Sequence, residues 1–182
     1  GRRPMKPIPE NLVGRGLALA VAAGAAIVGF ALSAASGTST LVVAAIGAAC
    51  GYAYDLRRSR TPWAWLPLSV ALPLVPIYAW LGATGSLPAG LAVLVPIGML
   101  AGGGLAVGNA LTDLAPDTAA RVASIAVLLG GRLAWRVHAL ALAAAVVLAL
   151  ASLPGSPSRL AVALLVSGCA AIAGGTVGLA PA

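Results

Sequence analysis

The sequence predicts an all-α, polytopic transmembrane helical bundle, and three observations carry that prediction. Apolar residues make up 60% of the 182-residue chain and charged residues only 8%, against roughly 25% charged in soluble domains. Six apolar stretches of near bilayer-crossing length follow one another, divided by turn-forming residues. The cationic residues fall almost entirely on one side of those stretches.

The first span is expected over Arg15–Ala35, ended by Ser36-Gly37-Thr38. The second, Ser39–Tyr54, is short for the ~20 residues a bilayer requires and can extend into the segment after it. The third, Trp63–Leu81, carries Pro67, Pro73 and Pro76 and reads as a kinked helix, tolerated where neighbours satisfy the freed carbonyls. The fourth, Leu87–Gly108, follows the turn Gly82–Gly85; the fifth and sixth are Leu133–Ser152 and Leu160–Leu179, parted by Pro154-Gly-Ser-Pro157. The glycine pairs Gly47/Gly51, Gly98/Gly102 and Gly104/Gly108 lie four apart and read as close-packing positions between helices. The whole chain, 1–182, is expected to be one transmembrane domain, with polar loops over about 1–14, 52–62 and 109–132.

Arg2, Arg3, Lys6, Arg15, Arg57, Arg58, Arg60, Arg121, Arg132 and Arg136 fall on one side of this arrangement and Arg159 alone on the other. By the positive-inside rule that side is cytoplasmic, with both termini on it; Glu10, Asp55, Asp113 and Asp117 share it. An integral protein of a bacterial plasma membrane is expected, with the bilayer and not nucleic acid as its surroundings. No ionisable residue lies deep in a span, which argues against ion-coupled transport. His138, about a turn inside the fifth span, suits an interfacial or packing role. Trp63, Trp65, Trp80 and Trp135 lie near span ends, as an aromatic belt does. Cys50 and Cys169 sit in apolar runs as small hydrophobes; with one His and no Cys/His cluster, zinc, haem and iron–sulfur sites are excluded. The first ten residues, basic and proline-broken, are not a secretory signal peptide.

Chemistry therefore belongs at the cytoplasmic mouth. Asp113 and Asp117 stand at i, i+4 in the run Asn109-Ala-Leu-Thr-Asp113-Leu-Ala-Pro-Asp117. Mg²⁺ takes oxygen ligands, typically one or two carboxylates completed by phosphate oxygens and water. Asp113 and Asp117 could face one ion while Asn109 supplies an amide oxygen, and nearby arginines could clamp phosphate. The plainer reading is that the acids hydrate a loop and the arginines set topology. In that case Pro116 starts a helix at its first turn and Asp117 is a favourable first-turn acid.

The residues from Asn109 to Gly130 resemble the second aspartate-rich segment of the UbiA-type intramembrane prenyltransferases: an Asn, then Asp-Leu-x-x-Asp, then Val-x-Leu-Gly. Asn109, Asp113, Asp117, Val127, Leu129 and Gly130 match in place. The stretch Tyr54 to Pro67 resembles that family's Tyr-x-Leu-x-x-Lys-Arg-Thr-Pro loop, and Arg3-Pro-Met-Lys6-Pro7-Ile8 resembles its Arg-x-x-Lys-Pro-Ile stretch. The likeness covers the whole chain in order.

The resemblance implies a helical bundle of about nine spans, of which this chain holds about six. It implies two aspartate motifs that bind Mg²⁺ and an isoprenyl diphosphate, and transfer of the prenyl group to an aromatic or related lipophilic acceptor. On it, Asp113 and Asp117 are assigned to Mg²⁺. Asn109 is assigned to the diphosphate or the metal's water, Arg58, Arg60 and Arg121 to phosphate, and Tyr54 to orienting the leaving group or acceptor. The chain departs from the pattern in three places. The first motif, Asn-Asp-x-x-Asp-x-x-x-Asp, is missing, so the chain is expected to be a fragment, inactive alone. Ser59 stands at the family's loop lysine, and Arg121 stands where glycine is common. The rival expectation is a catalytically inactive relative, or a transporter-like or scaffold bundle.

Overall fold

The computed structural model describes residues 12–57, 61–153, 162 and 168. Its elements are α1 (Arg15–Ala35), α2 (Thr38–Arg57), α3 (Trp65–Thr84), a 3-10 turn (Ala89–Val93), α4 (Leu94–Thr112), α5 (Leu114–Ala119), α6 (Ile125–Leu129) and α7 (Gly131–Ala151). The described residues are thus all-helical, as the composition predicts. Five of the helical stretches are long and apolar enough to cross a membrane; the expected sixth span, Leu160–Leu179, lies outside the described residues except for positions 162 and 168.

The short second span is completed by a further turn to Arg57, giving 20 residues. The fourth continues to Thr112, four residues beyond its expected end. The segment expected as a loop over 109–132 is instead largely helical, broken into the end of α4, α5 and α6. Its polar residues recur at helical spacing, and Pro116 occupies the third position of α5, within the first turn where its missing N–H has no intrahelical partner.

Helix α4 organises the bundle. It packs most extensively on α3 and on α7, α2 packs on α3, and α1 rests mainly on α2. Its glycines make the close approaches possible. A Cβ at Gly98 would lie 2.7 Å from Pro73, and one at Gly102 would collide with the Leu68 carbonyl and come within 2.9 Å of Ser69 Cα. Both face α3. On the α7 side, a Cβ at Gly104 would meet Ala141 at 3.2 Å, and one at Gly108 would meet the His138 ring at 2.8 Å. In a bilayer the lipid offers no hydrophobic incentive for helices to associate, so such contact carries the packing. Gly47 and Gly51 have nothing within 4 Å; that pair makes no close contact among the described residues.

Polar side chains tie the helices where water is absent. Ser69 Oγ, 2% exposed, donates to the Met99 carbonyl of α4 at 2.7 Å. Ser33 Oγ donates to Gly29 O at 2.7 Å and lies 3.0 Å from Tyr78 Oη; with the serine proton committed, the tyrosine donates, linking α1 to α3. His138 Nδ1 lies 2.7 Å from Gly104 O. A carbonyl only accepts, so Nδ1 carries the proton, and the ring leans on Trp135 with centroids 5.1 Å apart. His138 is a packing residue in this structure. Cys50 is a free, half-buried thiol; Cys169 lies outside the described residues. Large apolar side chains such as Ile27, Val75 and Leu140 are more than half exposed, the surface a lipid-facing bundle presents.

Replacing Gly102 by Ala is expected to destabilise the protein by about 1–3 kcal/mol through overpacking against α3. Gly47→Ala is expected to be neutral or slightly stabilising. Thermal denaturation in detergent separates them; equal melting temperatures would contradict the glycine-mediated contact.

Candidate active site

One end of the bundle gathers the carboxyl ends of α2 and α4, the amino ends of α3 and α7, and the short helices α5 and α6. A narrow cleft lies there, with about 20 Å³ of space open to a water-sized molecule. Its polar lining is Tyr54, Asn109, Asp113, Asp117 and Ser124, and its apolar wall includes Trp65, Ala106 and Ile125. The two aspartates expected to act together therefore share one cleft with Asn109 and Tyr54, residues 55 positions apart that meet directly. Asn109 Nδ2 donates to Tyr54 Oη at 3.1 Å.

The backbone explains the arrangement. Asn109 sits on the last turn of α4, and Asp113 is the junction residue, φ −101° and ψ 8°. The turn of helical geometry is nevertheless kept: Asp117 N–H donates to Asp113 O at 2.9 Å. Thr112 Oγ1 donates to Asn109 O and Thr118 Oγ1 to Leu114 O, both at 2.7 Å, bracing the junction on either side. Asn109, Asp113 and Asp117 thus succeed one another at one-turn intervals across the break.

After Asp117 the chain turns away through a Schellman motif. Val122 N–H donates to Asp117 O at 2.9 Å and Arg121 N–H to Thr118 O at 3.2 Å, with Arg121 in the left-handed conformation at φ 55°. Glycine suits that position best because a Cβ is strained there. The Arg121 side chain is exposed and does not line the cleft. Arg58 and Arg60, the other expected phosphate contacts, lie outside the described residues.

Below the cleft a small core holds α5 and α6 in place: Val107, Ala126 and Ala134, each at most 4% exposed, with Leu111, Leu114 and Leu129 packed around them. Gly130, at φ 73° and ψ 154°, joins α6 to α7 in a region of backbone space open essentially to glycine alone. The conformation gives a physical reason for the glycine that ends the motif.

Asp113 is half-buried and Asp117 is 9% exposed. Among the described residues the Asp117 carboxylate has no side-chain hydrogen bond. A carboxylate withdrawn from water without a protein partner calls for a cation or a donor from a ligand. The donor set at this end, two carboxylates and the Asn109 Oδ1 left over when its amide N–H engages Tyr54, is all hard oxygen and fits Mg²⁺. No group of three or more His, Cys, Asp or Glu suited to a metal occurs among the described residues.

Neither Trp65 nor Ser124 is among the site residues expected from the sequence. Trp65 reads as part of the aromatic belt yet lines the cleft, while Ser124 belongs to no spacing pattern of chemical groups.

Two backbone variants test this description. Gly130→Ala is expected to cost about 1–3 kcal/mol, whereas Arg121→Gly is expected to add roughly 1 kcal/mol of stability by relieving left-handed strain. Unfolding measured in detergent decides both; a lowered melting temperature for Arg121→Gly would mean that the guanidinium makes a stabilising contact that outweighs the strain.

Comparison with known proteins agrees with these motifs. The model of the UbiA prenyltransferase family matches residues 1–178. No curated protein and no solved structure matches the chain. With nearly its full length matched, the chain belongs to the UbiA prenyltransferase family.

Proposed function

We propose that the cleft binds Mg²⁺ together with the diphosphate of an isoprenyl donor, and that the prenyl group passes to an aromatic or related lipophilic acceptor. The observation that carries this reading is the convergence of Asp113, Asp117 and Asn109 on one cleft, with Asp117 buried and unpartnered among the described residues. When bound, Mg²⁺ supplies positive charge to the departing diphosphate, the main electrostatic task when an allylic C–O bond ionises.

The chain's own residues do the rest. Asp113 and Asp117 hold the ion directly or through water, and Asn109 Oδ1 orients its shell. Tyr54, fixed by its contact with Asn109, has its hydroxyl proton available for a phosphate oxygen or the acceptor. Trp65 and the alanines beside it make a wall that excludes water from a reactive allylic cation, and the tryptophan face favours positive charge by about 0.5–2 kcal/mol. Arg58 and Arg60 are the arginines assigned to phosphate contact, while Arg121 stands outside the cleft lining.

The positions of the described arginines support a cytoplasmic cleft. Arg15 begins α1, Arg57 ends α2, Arg121 follows α5, and Arg132 and Arg136 lie on the first turns of α7. By alternation of the spans all five share the cleft's end, the side that cationic residues mark as internal.

In the full-length protein, Asp113→Ala and Asp117→Ala are each expected to lower Mg²⁺-dependent prenyl transfer by at least about 100-fold. Turnover of a radiolabelled isoprenyl diphosphate into lipophilic product measures it. Wild-type rates in either variant would overturn the assignment.

A further inference from the structure

Two buried side-chain polar atoms lack a hydrogen-bond partner among the described residues: Trp135 Nε1 and Ser124 Oγ. Trp135 is on α7 and does not line the cleft; Ser124 does. Its residue is 2% exposed. It stands at the N-cap of α6, where a serine oxygen normally accepts from the helix's first N–H groups, yet it makes no such bond. The hydroxyl is therefore buried, uncommitted, and in the wall of a cleft that also contains Asp113 and Asp117.

A buried hydroxyl without a partner is costly and uncommon. The cleft's chemistry indicates what satisfies it. Both carboxylates there only accept, and one of the two Asn109 amide N–H donors is engaged with Tyr54. An anionic ligand held near two carboxylates needs O–H or N–H donors from the protein, and Ser124 carries one that no described residue uses. We propose that Ser124 is a ligand-binding residue of this site, its Oγ–H donating to a diphosphate oxygen. The proposal rests on the reading of the cleft as a Mg²⁺–diphosphate site. A hydrogen bond to a charged oxygen is stronger than one between neutral groups, so its loss is measurable in binding.

The test is calorimetric titration of inorganic diphosphate, in the presence of Mg²⁺, into the full-length protein in detergent. Wild type, Ser124→Ala, Ser124→Thr and Asp117→Ala are compared, each with its ligand-free melting temperature. The expected result for Ser124→Ala is affinity weakened roughly tenfold or more with a melting temperature equal to or above wild type, because no internal partner is lost. Threonine, which keeps the hydroxyl, is expected to restore affinity. If Ser124→Ala binds as wild type while Asp117→Ala does not, the role of Ser124 is overturned and the site stands. Weak binding accompanied by a lowered ligand-free melting temperature marks a structural serine and also overturns it. A defect seen with geranylgeranyl diphosphate but not with inorganic diphosphate places the hydroxyl elsewhere on the ligand, against the proposal. Failure of the wild type to bind diphosphate removes the site reading itself, and the serine's role with it.

Discussion

The close approach of α4 to α3 and α7 is the constraint on which the rest of the structure depends. Gly98 and Gly102 let the α3 backbone, including Pro73, come against α4, while Gly104 and Gly108 admit the side chains of α7. Two hydrogen bonds pin the same seams, Ser69 to Met99 O on one side and His138 to Gly104 O on the other. In a lipid environment such contacts act without help from a hydrophobic gradient, so a single added methyl group is felt along the whole seam. The cleft lies at the end of this helix: Asn109 stands on its last turn, Asp113 is its C-cap, and Trp65 of α3 is brought to the same cleft. Without the glycine seam those residues would have no fixed mutual position.

Above the seam, the site stores polar groups that the fold does not use. Among the described residues, Asp117 is nearly buried without a side-chain partner and the Ser124 hydroxyl is buried without one. Arg121 holds a left-handed backbone conformation at the end of α5. Each is unfavourable for folding when taken alone, and all three occur within eight residues of sequence. Their cost is offset by the Val107–Ala126–Ala134 core beneath them and by the hydroxyls of Thr112 and Thr118, which brace the α4–α5 junction. A strained, under-satisfied segment on a well-packed support is the pattern expected where ligand binding supplies the missing partners.

Much of this was legible in the sequence because it is local. Span positions follow from runs of apolar residues, the glycine pairs of α4 from their spacing, and the Asp113–Asp117 pair from its i, i+4 register and the polarity of its surroundings. The family resemblance was carried by residues such as Asn109, Asp117 and Gly130, and the structure gives the last of these a backbone reason. What escaped is what depends on distant packing. Gly47 and Gly51 have the spacing of Gly98 and Gly102 but no neighbour among the described residues, since spacing does not say which face meets a helix. The helical character of the segment after Gly108 was hidden by its polar residues and Pro116. Ser124 and Trp65 join the cleft only through the fold: a serine between alanine and isoleucine, or a tryptophan at a span end, carries no sign of where its side chain arrives.

Asp113 and Asp117 are proposed to couple diphosphate binding to Mg²⁺. Calorimetric binding of geranylgeranyl diphosphate to the full-length protein, in Mg²⁺ and again in EDTA, tests it most directly when the wild type is set beside the Asp113→Ala/Asp117→Ala double variant. Binding is expected to be strengthened by Mg²⁺ at least about tenfold in the wild type and much less in the double variant. An equal Mg²⁺ effect in the two proteins would contradict it.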